Sequence, residues 1–130
     1  MKRTFLLAAV LAPCVACAAR TPDMYARDTG AVLATKNDAI KACYDGVLKT
    51  TPGAKGKVTI KFDVETDGGR ITNVAVDAPS TTAPKPLADC VTQSLTGLAV
   101  MPPDSRKGQG TWTYDFTPPP QPAPAQPPTG

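Results

Sequence analysis

Apolar and polar residues alternate without a break over KVTIKFDV, Lys57 to Val64, where Val58, Ile60, Phe62 and Val64 stand against Lys57, Thr59, Lys61 and Asp63. A period of two puts every second side chain on one face, so the segment predicts a strand with one buried and one wetted face. ETDGG, Glu65 to Gly69, follows it, and Asp67 and Gly68 tolerate the positive φ that a tight hairpin needs. The return strand is expected over about residues 70–76 (RITNVAV), where Ile71, Val74 and Val76 depart from strict alternation and point to a bulge. A third alternating run, TWTYDF, sets Trp112, Tyr114 and Phe116 on one face and Thr111, Thr113 and Asp115 on the other.

Helical spacing governs two other stretches. Ile40, Cys43, Tyr44, Val47 and Leu48 recur at three and four residues, with Asn37 or Thr35 as a start signal and Pro52 and Gly53 as a stop. APSTTAPKP, residues 78–86, reads as a loop, and Pro86 suits the first turn of a second helix carrying Leu87, Cys90, Val91, Leu95 and Leu98 on one side. MPPDSRKGQG, residues 101–110, breaks that helix before the last strand. The order helix, strand, strand, helix, strand implies an α+β two-layer domain over residues 34–117 with a three-stranded antiparallel sheet. Internal repeats are absent from the chain.

The two ends read differently. Lys2 and Arg3 precede a short apolar run, Phe5 to Leu11, which is the pattern of an export signal and falls short of the roughly 18 to 20 residues a spanning helix needs. CVAC, Cys14 to Cys17, resembles a bacterial lipobox in Val15, Ala16 and Cys17, with Cys14 where that motif usually has Leu. The expectation is a signal over residues 1–16, lipidation of Cys17, and a tether over residues 17–33; a soluble secretory signal cut near Ala16 or Ala19 is the alternative. Ala18 and Ala19 lack an inner-membrane retention Asp, which favours the outer membrane. At the other end, residues 118–130 hold seven of the fifteen prolines and no charge, the composition of an extended, disordered tail.

Export also sorts the cysteines. Cys14 would leave with the signal and Cys17 would carry lipid, so Cys43 and Cys90 remain as an even pair in an oxidising compartment, as a disulfide or as two buried thiols. In the chain-entropy picture a bridge closing a loop of this length contributes about 3 to 4 kcal/mol, which matters in a domain this small.

Composition narrows the chemistry. The whole chain carries a formal charge of +3, and losing Lys2 and Arg3 with the signal brings it close to neutral, so no field for nucleic acid is present. Without histidine, neither Ser-His nor Cys-His nor His-metal arrangements can be built from this chain alone. Ser80, Ser94 and Ser105 are not at S-x-x-K spacing, and Gly68-Gly69 lacks the spaced glycines and the Lys-Ser or Lys-Thr of a phosphate loop. DVETDG, Asp63 to Gly68, imitates the start of a calcium loop, but Val74 stands where a bidentate Glu is required and the flanks are strands. Asp63, Glu65 and Asp67 therefore read as a solvated hairpin tip, and the expectation is no catalytic residue, no metal, no cofactor and no small-molecule substrate.

Taken together, IKACYDGVLKTTPGAKGKVTIKFDVETDGGRITNVAV, PLADCVTQSLTGLAVMPP and GTWTYDF resemble the AgmX/PglI C-terminal domain, a TonB C-terminal-like module of bacterial envelope proteins. The resemblance rests on Ile40, Cys43 and Tyr44, on Pro52 and Gly56 before the first strand, on the D-G-x-I hairpin, on Leu87, Cys90 and Val91, and on Pro102-Pro103, and it covers about residues 36–117. It implies a periplasmic protein-binding module. In the best-known TonB-like domains a sheet strand pairs with an extended segment of an outer-membrane transporter. This chain departs from TonB in having its proline-rich piece after the domain and a lipid in place of a transmembrane anchor, which argues against transduction from an inner-membrane motor. The expected function is a lipid-anchored envelope protein that binds another envelope protein through the edge strand bearing Thr111, Thr113 and Asp115. The alternative is a structural lipoprotein whose proline-rich tail is the spacer or docking strip.

Overall fold

The clean alternation over residues 57–64 becomes the central strand of the sheet. A computed structural model describes residues 20–120, with α1 (Pro22–Ala34), α2 (Asn37–Thr50), β1 (Gly56–Val64), β2 (Ile71–Val76), a 3₁₀ turn (Ala78–Ser80), α3 (Lys85–Ser94) and β3 (Gly108–Phe116). The sheet runs β2-β1-β3, antiparallel throughout. Val58, Ile60, Phe62 and Val64 are at most 3% exposed, so the inner face of β1 is the floor of the core.

Helices α2 and α3 close that core from one side. Ile40, Cys43 and Tyr44 come from α2 and Leu87, Ala88 and Val91 from α3. Both predicted stripes face the core because three- and four-residue spacing sets those side chains on one helix face, with Val47, Leu48 and Cys90 partly buried at its margin. Cys43 and Cys90 meet between the two helices as a disulfide with Cα atoms 5.8 Å apart. Near it the Tyr44 ring tilts against Phe116 at 5.0 Å between centroids, which ties α2 to the end of β3.

The hairpin and bulge form where expected, but the positive φ of the turn falls on Gly68 and Gly69 and not on Asp67. Glu65 N–H donates to the Arg70 carbonyl, and Gly68 and Gly69 take φ of 65° and 63°. Glycine is also required at position 69 because the Val100 carbonyl lies where a Cβ would stand. Between Lys61 and Asp63 the register slips, leaving an extra residue on β2 where Asn73 has φ 51°.

Three expectations are corrected. The tether expected over residues 17–33 is helical from Pro22 onwards, and Leu33, 1% exposed, belongs to the core. Thr21 accepts a hydrogen bond from Met24 N–H at 3.3 Å, Pro22 opens the first turn and Asp23 follows, all start signals of a helix. Its inward stripe runs Tyr25, Thr29, Leu33, and a buried threonine hides that stripe from a hydropathy reading. Second, α3 ends at Ser94, yet Leu95 and Leu98 remain buried in the turn beyond it. Third, β3 begins at Gly108, since Gly-Gln-Gly carries no apolar alternation to mark a strand. The signal segment, Cys17 and residues 121–130 lie outside the described residues.

Candidate functional site

An edge strand exposes a row of backbone donors and acceptors, so the two ends of this sheet decide what it can bind. On one side β3 pairs with β1 at every position from Gly56 with Phe116 to Val64 with Gly108, with no slip of register. Its other side meets no strand among the described residues. Thr111, Thr113 and Asp115 are exposed on the outer face. The Thr113 hydroxyl shares a 2.9 Å hydrogen bond with that of Thr59, and Asp115 lies 3.7 Å from Lys57. These contacts hold β3 flat against β1 and leave its backbone edge to the outside.

The β2 edge is built otherwise. Ile71 N–H donates to the Leu98 carbonyl and Val100 N–H to the Gly69 carbonyl, so residues 98–100 cover the start of β2. Asn73, at positive φ in the bulge, bends the remainder out of line. Bulges and short coverings are the usual means by which an edge is closed to further pairing. Past β2, the chain over residues 77–83 continues along β1: Thr82 and Ala83 N–H donate to the Lys57 carbonyl, and Thr81 Oγ1 accepts from Thr59 N–H. Among the described residues one regular edge therefore stays open.

Beside that edge, α1 and the first half of β3 enclose a cleft of about 440 Å³. Residues 108–112 all line it, although consecutive strand side chains point to opposite faces, so the cleft runs along the strand edge itself. Phe62 shows through beneath Gly110, where a Cβ would strike its ring. Gly30 of α1 lies just as close to Trp112, with a Cβ there placed 2.8 Å from the indole. Arg20, Tyr25 and Thr29 supply the polar wall. Burial, reinforced by the charge of Asp104, pushes the Tyr25 phenol up, and the Arg20 charge pulls against both. Further along β3, burial pushes the Tyr114 phenol up to about 12.

The acidic residues of the hairpin are more engaged than a solvated tip. Asp63 accepts from Asn73 Nδ2 at 2.7 Å and pairs with Lys107 Nζ at 3.0 Å, while Glu65 accepts from Thr72 Oγ1 at 2.7 Å and pairs with Lys107 at 3.1 Å. The Asn73 hydrogen bond first and Lys107 second hold the Asp63 carboxyl below its usual range. Thr72 and then Lys107 do the same for Glu65, and Asp63 in turn raises Lys107. Asp67 stays at the exposed tip with Arg70 at 2.7 Å. No metal-holding cluster occurs among the described residues.

The described part of the chain superimposes on a solved structure. The TonB C-terminal domain of Helicobacter pylori, residues 179–285, matches with a TM-score of 0.51 at 17% identity, covering 78% of this chain and 97% of that one. The fold is TonB C-terminal-domain-like. No protein-family profile and no curated protein matches the chain, and the structural likeness is to the TonB C-terminal-domain fold. Among the described residues no helix is long and apolar enough to cross a membrane.

From the sequence, Thr111, Thr113 and Asp115 share one face of the last strand, and in the structure that strand has its outer side unpaired among the described residues, while Cys43 and Cys90, left as a bridge or two thiols, form a disulfide. Reading the sequence missed Arg20, Tyr25 and Thr29, which become neighbours of β3 only once α1 folds. The Thr-Pro-Asp of residues 21–23 was the available signal, a capping residue followed by proline and an acid.

Proposed function

We propose that this chain is a lipid-anchored envelope protein whose TonB-like domain binds another envelope protein by strand addition along β3. The observation that carries this is the contrast between the two edges: β3 is regular over nine residues and its outer edge meets no strand among the described residues, while β2 is bulged and partly covered. An added strand would satisfy the exposed main-chain groups and set alternate side chains to either face. The resemblance to the AgmX/PglI domain and the lipobox-like CVAC support placing it on the periplasmic side of the outer membrane, held through Cys17. The uncharged proline-rich tail supports a second reading, in which residues 118–130 make the contact and the domain is its support.

A photocrosslinking residue at Thr113, and separately at Gln126, distinguishes the two in intact cells. Strand addition predicts capture of a discrete partner at Thr113, lost on Thr111→Lys in the same chain because a lysine on an edge opposes pairing. Capture from Gln126 alone overturns it in favour of the tail. Intact mass of the membrane-extracted protein tests the anchor, and an unmodified Cys17 would refute it.

A further inference from the structure

Folding of α1 shortens the link between Cys17 and the domain. Residues expected to form a tether are helix from Pro22, and Arg20 already belongs to the fold, with its Nε 3.0 Å from Asp28. Three Cα–Cα steps separate Cys17 from Arg20, and they reach at most about 11 Å however residues 18 and 19 are arranged. A lipidated cysteine stands at the headgroup layer with its acyl chains in the hydrocarbon. The start of α1 is then held within about 11 Å of that layer, less than half the length of β1 at its nine residues.

Beside the start of α1 lies one end of the sheet. Tyr25 fills the space over Gly108, Gly108 pairs with Val64, and Val100 N–H donates to the Gly69 carbonyl. The first turn of α1, the β1–β2 hairpin and the loop of residues 101–107 therefore share that end. Both large apolar side chains that are exposed among the described residues stand on it, Met101 at 63% and Met24 at 42%. Pro102 and Pro103, also exposed, extend the patch at Met101. The far end, where Gly56 pairs with Phe116, has no exposed large apolar side chain among the described residues. An exposed apolar patch marks a contact surface, and here it sits where the lipid is attached. Lys107 is matched by Asp63 and Glu65 and Arg70 by Asp67, so this end carries no basic field for anionic headgroups.

We propose that the domain stands end-on against the bilayer, held there by the short link, with Met24 and Met101 in the headgroup layer. This rests on the lipidation of Cys17 and adds to it an orientation and a lipid-contact surface. The link supplies the attachment, and the flexible thioethers supply apolar contact without a charge requirement. In that pose the strands run away from the membrane, and the β3 edge is left uncovered along its length.

The test is quenching of a fluorophore by a nitroxide carried on lipid headgroups. With Cys17 acylated and Cys43 bridged to Cys90, Ser105→Cys supplies a free thiol for the label on the proposed contact end. Thr117→Cys marks the far end, about 27 Å away along a nine-residue strand. Each membrane-extracted, labelled chain is reconstituted into phosphatidylethanolamine–phosphatidylglycerol vesicles containing the nitroxide lipid. The label at Ser105→Cys should lose most of its emission and the label at Thr117→Cys little. No loss at Ser105→Cys, or an equal or greater loss at Thr117→Cys, overturns the pose. Intact mass of the same samples separates that result from failure of the anchor: with the acyl chains present the anchor stands, and an unmodified Cys17 overturns both. Met24→Asp with Met101→Asp, at two exposed sites, should weaken the quenching at Ser105→Cys in a protein with unchanged melting. Undiminished quenching in that variant overturns the methionine contact.

Discussion

Tyr44 shows how single residues hold this fold. Its ring fills the space between α2 and Phe116, and its hydroxyl donates to the Ala54 carbonyl at 2.6 Å in the interior. Tyr44→Phe leaves that carbonyl unpaired and should cost about 1 to 2 kcal/mol in urea unfolding, with the disulfide intact. Gly110 is set by what lies beneath it: Gly110→Val drives a branched side chain into the Phe62 ring and should cost about 1 to 3 kcal/mol by overpacking. The Lys107 network makes a prediction in pH. Asp63 and Glu65 have folded pKa values lowered below the unfolded ones, so their contribution is complete above about pH 4.3 and fades as pH falls through the lowered values. Lys107 is raised, so its contribution holds below about pH 10.4 and fades as pH rises through the raised value. Lys107→Met should therefore lower the melting temperature at neutral pH, with the gap to wild type closing towards both extremes.

At the scale of elements, the disulfide and α1 bear on different regions. The Cys43 to Cys90 bridge joins α2 to α3 across 47 residues of chain. Replacing both cysteines by serine should lower unfolding free energy by about 4 kcal/mol in the chain-entropy model, through the freer unfolded chain. Helix α1 contributes to the core through Leu33 alone among its fully buried apolar residues, and otherwise leans on the β3 side through Tyr25, Gly30 and Thr29. Its start was legible in Thr21, Pro22 and Asp23, whereas its packed face was not, because a glycine and a threonine occupy the contact. Small and hydroxyl residues score as loop-like until a neighbour gives them something to touch.

For the whole molecule, the two layers leave one edge of the sheet open at β3 among the described residues, and the proposed strand addition is assigned to that edge. Deleting residues 118–130 should leave capture at Thr113 unchanged if the domain binds by its edge. Loss of that capture on deletion would shift the contact to the tail. The Helicobacter pylori TonB domain has the same fold at 17% identity, so the arrangement of layers survives wide replacement of the side chains that fill it.

The central strand, the hairpin, the α2 stripe and the apolar positions of α3 were determined by the sequence alone. Each is a local pattern, read from residues within a few positions of one another, and period two or three-and-a-half survives whatever packs against it. The even pair Cys43 and Cys90 was legible too, although only the facing of α2 and α3 decided between a bridge and two thiols. Tertiary structure alone decided which edge stays open, since β2 is closed by residues 98–100, far along the chain from the strand they cover. It alone brought Arg20 and Thr29 to Gly110, more than eighty positions away in the chain. A cleft is a relation between surfaces distant in sequence, and no local periodicity encodes it.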